Sequence, residues 1–534
     1  MAHKADATSI MRIAAQARSA VDCRLGLWLS KCSMSASPRN TRLFAGKETF
    51  AFILILGCAA ALYLHDLTYS DIWIDEACSK ALTRHPFPEM MRIIAGDFHP
   101  PLYFVALKLF TAVIGTTDLT IRLFSVVGAL SALGISYVVG RRLLGQAGAL
   151  FLCLLMLAVP MPGLYSHVAR MYTWTVFVSM GVLLYALLYA KEHRRRDLVL
   201  LGFFSVMAAY IHYYCLIAAF WTNLAVLLYL FARKDPAWRA LAAMGAVVLV
   251  LFLPWLSVLL SQTRAVQKDF WIQPVTWSSF LSCYTQPFFG VFFPYALSWV
   301  EMAVVYGLKL AGVWSALFSR KTGNRLPLGL SLFVFNAALL TVVAVSLLVK
   351  PILYPRYVMT LMPMLLVPPV VALLSWKRNW LAAIPLATAL GCGVFIVLSE
   401  FKVSYGPYRQ SLERLSKAHP EVRKIVHVAE LTAGPFAEYG RGGPWTQYYL
   451  KNDRSSWYLN MDIFPAMTAV KDPSDVAPKE EVFCLAVFDP VPLNKTNIDL
   501  VLARCRTVAR EEVADAKPYP GIKITLYLLK YAGR

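Results

Sequence analysis

The sequence is poor in charged residues, and among these it is poorest in acids. Asp, Glu, Lys and Arg make up 16% of its 534 residues against 58% hydrophobic residues, and 31 acids stand against 52 bases. So apolar a composition, with a mean hydropathy of +0.55, excludes an ordinary soluble protein. The chain also lacks a GxGxxG or P-loop motif for a nucleotide, and its ten cysteines show no CxxC or other metal-ligand spacing.

Repeated apolar runs fill much of the chain instead. Each is long enough to approach the roughly 30 Å of a bilayer's hydrocarbon core, which predicts a mainly α-helical, polytopic membrane protein. The runs lie near residues 49–66, 100–115, 119–140, 146–160, 171–190, 198–213, 215–232, 239–260, 296–318, 327–349, 356–376 and 380–400.

The positive charge is concentrated where short segments join these runs. Residues 1–47 hold eight Lys/Arg against two acids, whereas the region after residue 400 holds 19 bases and 15 acids. Short basic clusters at 141–142, 191–196, 233–239, 319–325 and 377–378 separate the runs. Such a pattern is typical of cytoplasmic loops and argues against a nucleic-acid partner.

Charge parity predicts the topology. If 141–142 and 191–196 are both cytoplasmic, segment 119–140 runs inward and starts outside. Because the basic N-terminus is also expected in the cytoplasm, segment 49–66 runs outward, so residues 67–118 begin and end on the outer face. Segment 100–115 is then expected to lie at the interface rather than to cross, with Lys108 snorkelling to the lipid headgroups. The alternative is a real crossing here and a later run that fails to span. The first reading gives about eleven spans.

Residues 401–534 change character and are predicted to form a small α+β domain outside the membrane. Residues 424–429, 481–488 and 523–529 read as strands between loops rich in Pro and Gly. Cys484 and Cys505 lie in this region, and whether they pair is left open. The predicted domains are a basic cytoplasmic tail at 1–48, a transmembrane catalytic domain at 49–400, and the extracytoplasmic domain at 401–534.

Ionisable and aromatic side chains collect in three predicted outer loops, which indicates a shared cavity. Acids in the first loop and arginines in the others suit a base beside a phosphate clamp. The candidate acids are Asp75, Glu76 and Asp97, and the candidate binding residues are His99, Arg122, His167, Arg170, Tyr172, Tyr354, Arg356 and Tyr357.

Each element also has a purely structural interpretation. Asp75 and Glu76 suit the first turn of a helix, where the macrodipole favours acids. His99 followed by two prolines suits a loop that ends at a helix start. Single arginines at helix ends are commonly interfacial anchors, and boundary Tyr and Trp commonly form an aromatic belt.

Six motifs follow one another along the chain: WIDEA, GDFHPPLYF, TDLTIRLFS, GRRLLG, YSHVARMYTW and YPRYVMTLMP. This ordered set resembles bacterial members of the protein O-mannosyltransferase-like group of GT-C glycosyltransferases, which includes the aminoarabinose and galacturonic acid transferases of lipid A and its core. The resemblance covers residues 50–190 and the YPRY region. Residues 200–350 match only in hydropathy, and the tail only in position.

The resemblance implies inverting transfer of a monosaccharide from a polyprenyl-phosphate donor to an acceptor hydroxyl outside the bacterial inner membrane. The acceptor is left open among a glycolipid such as lipid A or its core, a glycan, and a protein. The family's proposed general base maps onto Asp75, with Glu76 beside it. Some relatives have an acid after the second outer loop, where this chain reads His167-Val-Ala-Arg170, so Asp97 is the substitute candidate. A divalent metal is left open.

Elementary chemistry points the same way. An outward-facing site without a nucleotide-binding motif must take its activated sugar from lipid. Transfer then needs one base for the acceptor and cations for the developing phosphate charge. A transporter or flippase is the main rival, but the spans hold few ionisable residues, among them Glu301 and Lys309. A simple anchor for residues 401–534 needs only one span.

Overall fold

A computed structural model describes residues 46–266, 272–290, 295–318, 325–376, 379–450, 461–476, 481–489, 495–514 and 523–532. The chain divides into two units, residues 1–54 and 55–534, and the described part of the first is the start of a helix at Lys47. The predicted tail at 1–48 and the basic clusters at 319–325 and 377–378 fall almost entirely outside the described residues.

Helices account for most of the described chain. In order they are α1 (Lys47–Leu64), α2 (Ile74–Leu82), α3 (Phe87–Ala95), α4 (Leu102–Ile114), α5 (Asp118–Val138), α6 (Gly140–Ala158), α7 (Pro160–Ser166), α8 (Tyr172–Glu192), α9 (Arg195–Ile211), α10 (Tyr213–Ala232), α11 (Ala237–Val266), α12 (Trp277–Thr285), α13 (Ala296–Phe318), α14 (Arg325–Leu348), α15 (Met362–Ser375), α16 (Asn379–Glu400), α17 (Tyr408–Ala418), α18 (Glu430–Tyr439) and α19 (Lys495–Arg504). A 3-10 segment, Pro355–Leu361, leads directly into α15.

Among the described residues, ten helical segments are long and apolar enough to cross a membrane, which confirms the predicted polytopic architecture. The eleventh predicted span, 198–213, corresponds to α9. This helix has 17 residues, or about 26 Å at 1.5 Å per residue, and it begins with the charged residues Arg195, Arg196 and Asp197. Its charged first turn and its length make it a marginal span.

The basic clusters that charge parity predicts on one face of the membrane lie in contact in the structure. Arg142 donates hydrogen bonds to Asp197 at 2.8 and 2.7 Å and to Glu192 at 2.8 Å. His193 lies 3.0 Å from Asp235, which adds the cluster at 233–239. These contacts hold three predicted inner loops at the same end of the helices.

The first outer loop contains the three short helices that follow α1. Of these, α4 has 13 residues and a length of about 20 Å, too short to cross roughly 30 Å of hydrocarbon. Its length supports the predicted interfacial position. The expectation for Lys108 was wrong, because its Nζ donates to the carbonyls of Thr83 and His85, both at 2.8 Å. Lys108 therefore fixes the end of α2 instead of reaching for headgroups.

Residues beyond α16 form the predicted α+β domain. Its six strands are β1 (Lys424–His427), β2 (Thr446–Leu450), β3 (Met467–Val470), β4 (Val482–Asp489), β5 (Cys505–Ala514) and β6 (Lys523–Tyr531). The sheet order is β3-β2-β1-β4-β6-β5, parallel through β4 and antiparallel at β6 and β5. Apolar side chains of α17 and α18 cover one face, and those of α19 cover the other.

Strands β1, β4 and β6 match the three predicted strands, while β2, β3 and β5 were not foreseen. Cys484 on β4 pairs in register with Leu528 of β6, and Cys505 on β5 with Tyr531. Strand β6 therefore separates the two cysteines, and both are free thiols.

Topology can be tested with two exposed arginines. Arg441→Cys, in the C-terminal domain, is expected to react with a membrane-impermeant maleimide in intact cells. Arg194→Cys, beside the inner clusters, is expected to react only after lysis, because its side chain is 64% exposed but lies on the opposite face. The labelling of each variant is compared with that of the parent protein, whose own cysteines give the background. The reverse pattern would overturn the predicted orientation.

Candidate active site

A buried ion pair fixes the start of α2. The Nε and Nη2 atoms of Arg122, on α5, each donate to the Glu76 carboxylate at 2.8 Å, and the two side chains are 2% and 0% exposed. Arg122 also donates to the carbonyls of Leu67 and Ser70, at 3.0 and 2.9 Å. The guanidinium therefore ties the segment before α2 to α5.

The same carboxylate reaches the second outer loop. Glu76 Oε1 accepts a hydrogen bond from the backbone N–H of Ala169 at 2.9 Å, directly before Arg170. Glu76 was predicted as a catalytic residue and Arg122 as a substrate-binding residue. In the structure each bonds to the other and to backbone groups. Both acids lie in the first turn of α2, as the structural interpretation of the Asp75–Glu76 pair expects.

Asp75 faces away from this pair and towards the third loop. Its Oδ2 lies 3.5 Å from Nη1 of Arg356 and has no hydrogen-bond partner among the described residues. The two side chains are 23% and 15% exposed. Asp75 is therefore a partly shielded carboxylate with a nearby cation and a free acceptor atom.

Aromatic rings surround the Arg356 guanidinium. Its Cζ lies 4.8 Å from the ring centre of Tyr354, 5.7 Å from Tyr172 and Trp73, and 5.8 Å from Tyr357. Rings at this range stabilise a cation through their negative faces while excluding water. The predicted residues Tyr172, Tyr354 and Tyr357 therefore gather around one arginine.

Arg170 joins the other predicted residues of the first loop. Its Nη2 lies 3.3 Å from Nε2 of His99, whose Nδ1 lies 3.3 Å from Asp97. Burial opposes ionisation of Asp97, but the His99 hydrogen bond and the charges of His99 and Arg170 lower its pKa overall. Burial lowers the pKa of Arg170, but the negative charges of Asp75 and Asp97 outweigh this effect, so Arg170 stays a cation.

His212 extends this group. Its ring centre lies 6.0 Å from that of His99 and 4.9 Å from that of Tyr357. Burial holds the pKa of His212 well below its usual range, so the ring is neutral at pH 7. A sequence clue existed, because His212 is an ionisable residue at the end of the predicted span 198–213.

His167 has different surroundings. Its ring stacks on Phe401 with centres 3.4 Å apart, and its Nε2 lies 3.0 Å from the carbonyl of Tyr63. Burial lowers its pKa to about 3. The structure thus packs His167 as a neutral aromatic ring and does not bring it to Asp75.

Two further residues reach the site without a clear sequence signal. Tyr405 stacks on Trp73 with ring centres 5.5 Å apart. Glu430, the first residue of α18, has a buried Oε2 without a hydrogen-bond partner among the described residues. Burial, with the charge of Asp75, raises the pKa of Glu430 to about 7. Both residues follow the last transmembrane helix, hundreds of positions from Asp75.

No group of three or more His, Cys, Asp or Glu side chains in the described part of the chain is arranged to hold a metal ion. Among the donors nearest the site, Asp75 instead lies beside Arg356, and Asp97 pairs with His99, which contacts Arg170. The residues present therefore do not form a recognisable metal centre.

The chain is similar to known proteins in part of its sequence and in its fold. Residues 98–258 match the family model described as dolichyl-phosphate-mannose-protein mannosyltransferase. Two structures of ArnT from Cupriavidus metallidurans, one bound to undecaprenyl phosphate and one in the apo state, each align with a TM-score of 0.57 and 14% identity. The alignments cover 89% and 90% of this chain and 98% of each ArnT chain. Among curated proteins, none matches the sequence significantly.

These findings confirm the predicted resemblance: residues 98–258 match a mannosyltransferase family model, and the chain has the fold of the two ArnT structures. The family match includes the motifs from Phe98 to Trp174 but does not reach Asp75 or Arg356.

Removing Arg122 is expected to destabilise the protein strongly. Arg122→Met leaves Glu76 buried without its cation, which typically costs about 3–5 kcal/mol. The exposed pair Arg92–Asp462, in which Arg92 is 63% exposed, provides the control: Arg92→Met is expected to cost less than about 1 kcal/mol. Thermal unfolding of the purified variants measures both. Equal losses would show that Glu76–Arg122 behaves as a surface pair.

Proposed function

We propose that this protein is an integral membrane glycosyltransferase that moves a monosaccharide from a polyprenyl-phosphate donor to an acceptor hydroxyl. The observation that carries the proposal is the convergence of one partly shielded carboxylate, Asp75, with Arg170 and Arg356 from two other loops. The GT-C fold and the ArnT structure that binds undecaprenyl phosphate support the donor class. The site faces the periplasm of a bacterial inner membrane, where lipid is the source of activated sugar.

Asp75 acts as the general base. It accepts the proton of the acceptor hydroxyl, whose oxygen attacks the sugar carbon opposite the phosphate. The carbon–oxygen bond to the phosphate breaks, its electron pair stays on the phosphate, and the configuration inverts. Because the phosphate is already a good leaving group, this direct displacement needs no second acid–base residue at the leaving oxygen.

Arg356 and Arg170 stabilise the phosphate. Guanidinium groups bind phosphate bidentately and stay charged, and a shielded site strengthens the attraction. Arg356 lies beside Asp75. A donor phosphate competes for this cation, which leaves Asp75 available for the acceptor. Donor binding and base activation are thereby linked through one arginine.

Transport of a lipid-linked substrate is the second candidate. Glu301, within α13, is fully buried and neither of its carboxylate oxygens has a hydrogen-bond partner among the described residues. An intramembrane carboxyl of this kind is typical of transport pathways. However, the polar groups that converge do so at the outer loops and not along the spans, and this favours an interfacial enzyme.

Cell-envelope mass spectrometry tests the proposed function directly. A deletion strain is expected to lack the mass of one hexose, pentose or uronic acid on its acceptor, which also names the sugar class. The wild-type gene and Glu89→Gln, a half-exposed acid of the same loop, are expected to restore the mass. Asp75→Asn is expected to fail, with purified transfer reduced roughly 100-fold or more and normal folding. Full activity of purified Asp75→Asn would remove it as the base.

Arg356→Ala is expected to impair use of the donor more than of the acceptor. Loss of a charge-assisted contact to phosphate raises the KM for the lipid donor roughly 10- to 100-fold, with the acceptor KM changed far less. Arg414→Ala, which removes an exposed arginine of the C-terminal domain, serves as the control and should change neither. Steady-state kinetics with each substrate varied in turn provide the test. An unchanged donor KM would rule out the phosphate clamp.

A further inference from the structure

The indole N–H of Trp73 is a buried hydrogen-bond donor without an acceptor in the described part of the chain. Trp73 directly precedes α2 and stands two positions before Asp75. Its backbone N–H donates to Glu76 Oε2 at 3.4 Å, and the same oxygen accepts from Arg122. The ion pair that fixes the start of α2 therefore also fixes the backbone of Trp73.

The ring of Trp73 is held from the sides as well. Tyr405 stacks on it with an interplanar angle of 13°, and the Cζ atom of Arg356 lies 5.7 Å from its centre. Turning the ring would break both contacts, because stacking and cation–ring attraction each depend on its orientation. The indole N–H is therefore positioned in advance of any ligand.

Tyr172 carries a second buried group of this kind. Its side chain is 1% exposed, and its hydroxyl has no hydrogen-bond partner among the described residues. Its ring lies 5.7 Å from the Cζ atom of Arg356, the same distance as the ring of Trp73. Tyr165 packs against it edge-on with ring centres 4.7 Å apart, which fixes the position of the hydroxyl.

Polar atoms without partners therefore cluster around Arg356 and Asp75. Nε of Arg170 and Oδ2 of Asp75 are also buried and lack a hydrogen bond to any described residue. Roughly 90% or more of the buried polar groups in folded proteins are satisfied, because an unmade hydrogen bond costs free energy. Four such atoms around one site indicate that a ligand supplies the missing partners.

The chemistry of these four atoms selects the ligand. Those of Trp73, Arg170 and Tyr172 each carry a hydrogen to donate, and the indole and guanidinium N–H groups cannot accept. They require ligand oxygens that accept, and both phosphate oxygens and sugar oxygens do so. Asp75 Oδ2 is the one atom of the four that only accepts, which suits the hydroxyl proton of the acceptor.

We propose that Trp73 and Tyr172 bind the sugar-phosphate head group of the lipid donor, each donating a hydrogen bond to one of its oxygen atoms. The inference rests on the proposed transferase function and adds to it two neutral donors beside Arg356. Arg356 attracts the phosphate by its charge, and the two neutral donors fix how the head group is turned. A head group held in one orientation presents its sugar carbon to the hydroxyl at Asp75.

Tyr172→Phe and Tyr189→Phe make a matched pair for the test. Both are buried tyrosines of α8, but Tyr189 donates to the carbonyl of Ala237 at 2.9 Å. Tyr172→Phe deletes no hydrogen bond between described residues, so its thermal midpoint should stay at or above that of wild type. Its KM for the lipid donor should rise roughly tenfold. Tyr189→Phe should show the reverse, with a lower midpoint and an unchanged donor KM.

Trp73→Phe and Trp221→Phe apply the same comparison to the indole group. Both variants lose the same ring atoms, but Trp221 Nε1 donates to Thr341 Oγ1 at 2.8 Å within the spans. Trp73→Phe should therefore lose less thermal stability than Trp221→Phe, and yet raise the donor KM roughly tenfold. The acceptor KM should change far less in both. A tryptophan with only a structural role would lose stability and leave the donor KM intact.

Undecaprenyl phosphate, which lacks the sugar, shows which part of the head group each residue contacts. Purified full-length wild type, Trp73→Phe and Tyr172→Phe are titrated with it. A variant that binds it roughly tenfold more weakly has lost a contact to the phosphate. A variant that binds it normally, but has the raised KM for the sugar-loaded donor, has lost a contact to the sugar.

The kinetic assays use undecaprenyl phosphate carrying the sugar identified from the envelope. If wild type transfers this sugar and both Trp73→Phe and Tyr172→Phe keep the wild-type donor KM, the head-group contacts are overturned while the transferase stands. If wild type transfers no sugar, the proposed function fails and the head-group contacts fall with it.

Discussion

The ion pair between Glu76 and Arg122 is the interaction on which the geometry of the site depends. Removing two charges from water is expensive, and such a pair contributes little net stability against well-packed apolar side chains. Its value here is positional. The Glu76 carboxylate accepts hydrogen bonds from Arg122 of α5 and from the backbone N–H that precedes Arg170. Arg122 in turn donates to backbone carbonyls in the segment before α2. These bonds define where Asp75 and Arg170 stand with respect to each other.

The apolar helices and the polar loops thus have separate tasks. The helices bring three loops to one end, as the Arg142 contacts bring the inner loops to the other. Within the outer group, three arginines that look alike in sequence differ in their partners. Arg122 is fully paired with Glu76 and backbone carbonyls. Arg170 lies beside His99, and Arg356 lies beside Asp75 within a set of aromatic rings. Their partners, and not their residue type, distinguish Arg122 from the two arginines that we propose bind the phosphate.

Much of this was predictable from the sequence, because membrane spans and charge parity are local signals. The spans, the grouping of outer loops and the short α4 follow from apolar run lengths and basic clusters. Strands β1, β4 and β6 were predicted because they form apolar runs, whereas the burial pattern of β5 is mostly exposed and its strand signal correspondingly weak. The separate setting of His167 depends on Phe401, and the position of Glu430 depends on α18 packing on α2. Contacts between residues several hundred positions apart produce no periodic pattern in the sequence from which they could be predicted.

The docking of the C-terminal domain has a consequence for how the protein matures. Arg409 donates to Asp118 across 291 positions, and Tyr439 donates to the same aspartate across 321. Loop closure of this length is slow compared with helix formation, and domains generally fold in the order of their synthesis. The membrane helices therefore form before the last quarter of the chain has folded. Until that segment folds and docks, the polar surface around Asp71, Asp118 and Glu76 lies open, and a chain stalled at this stage is a natural target for quality-control proteases.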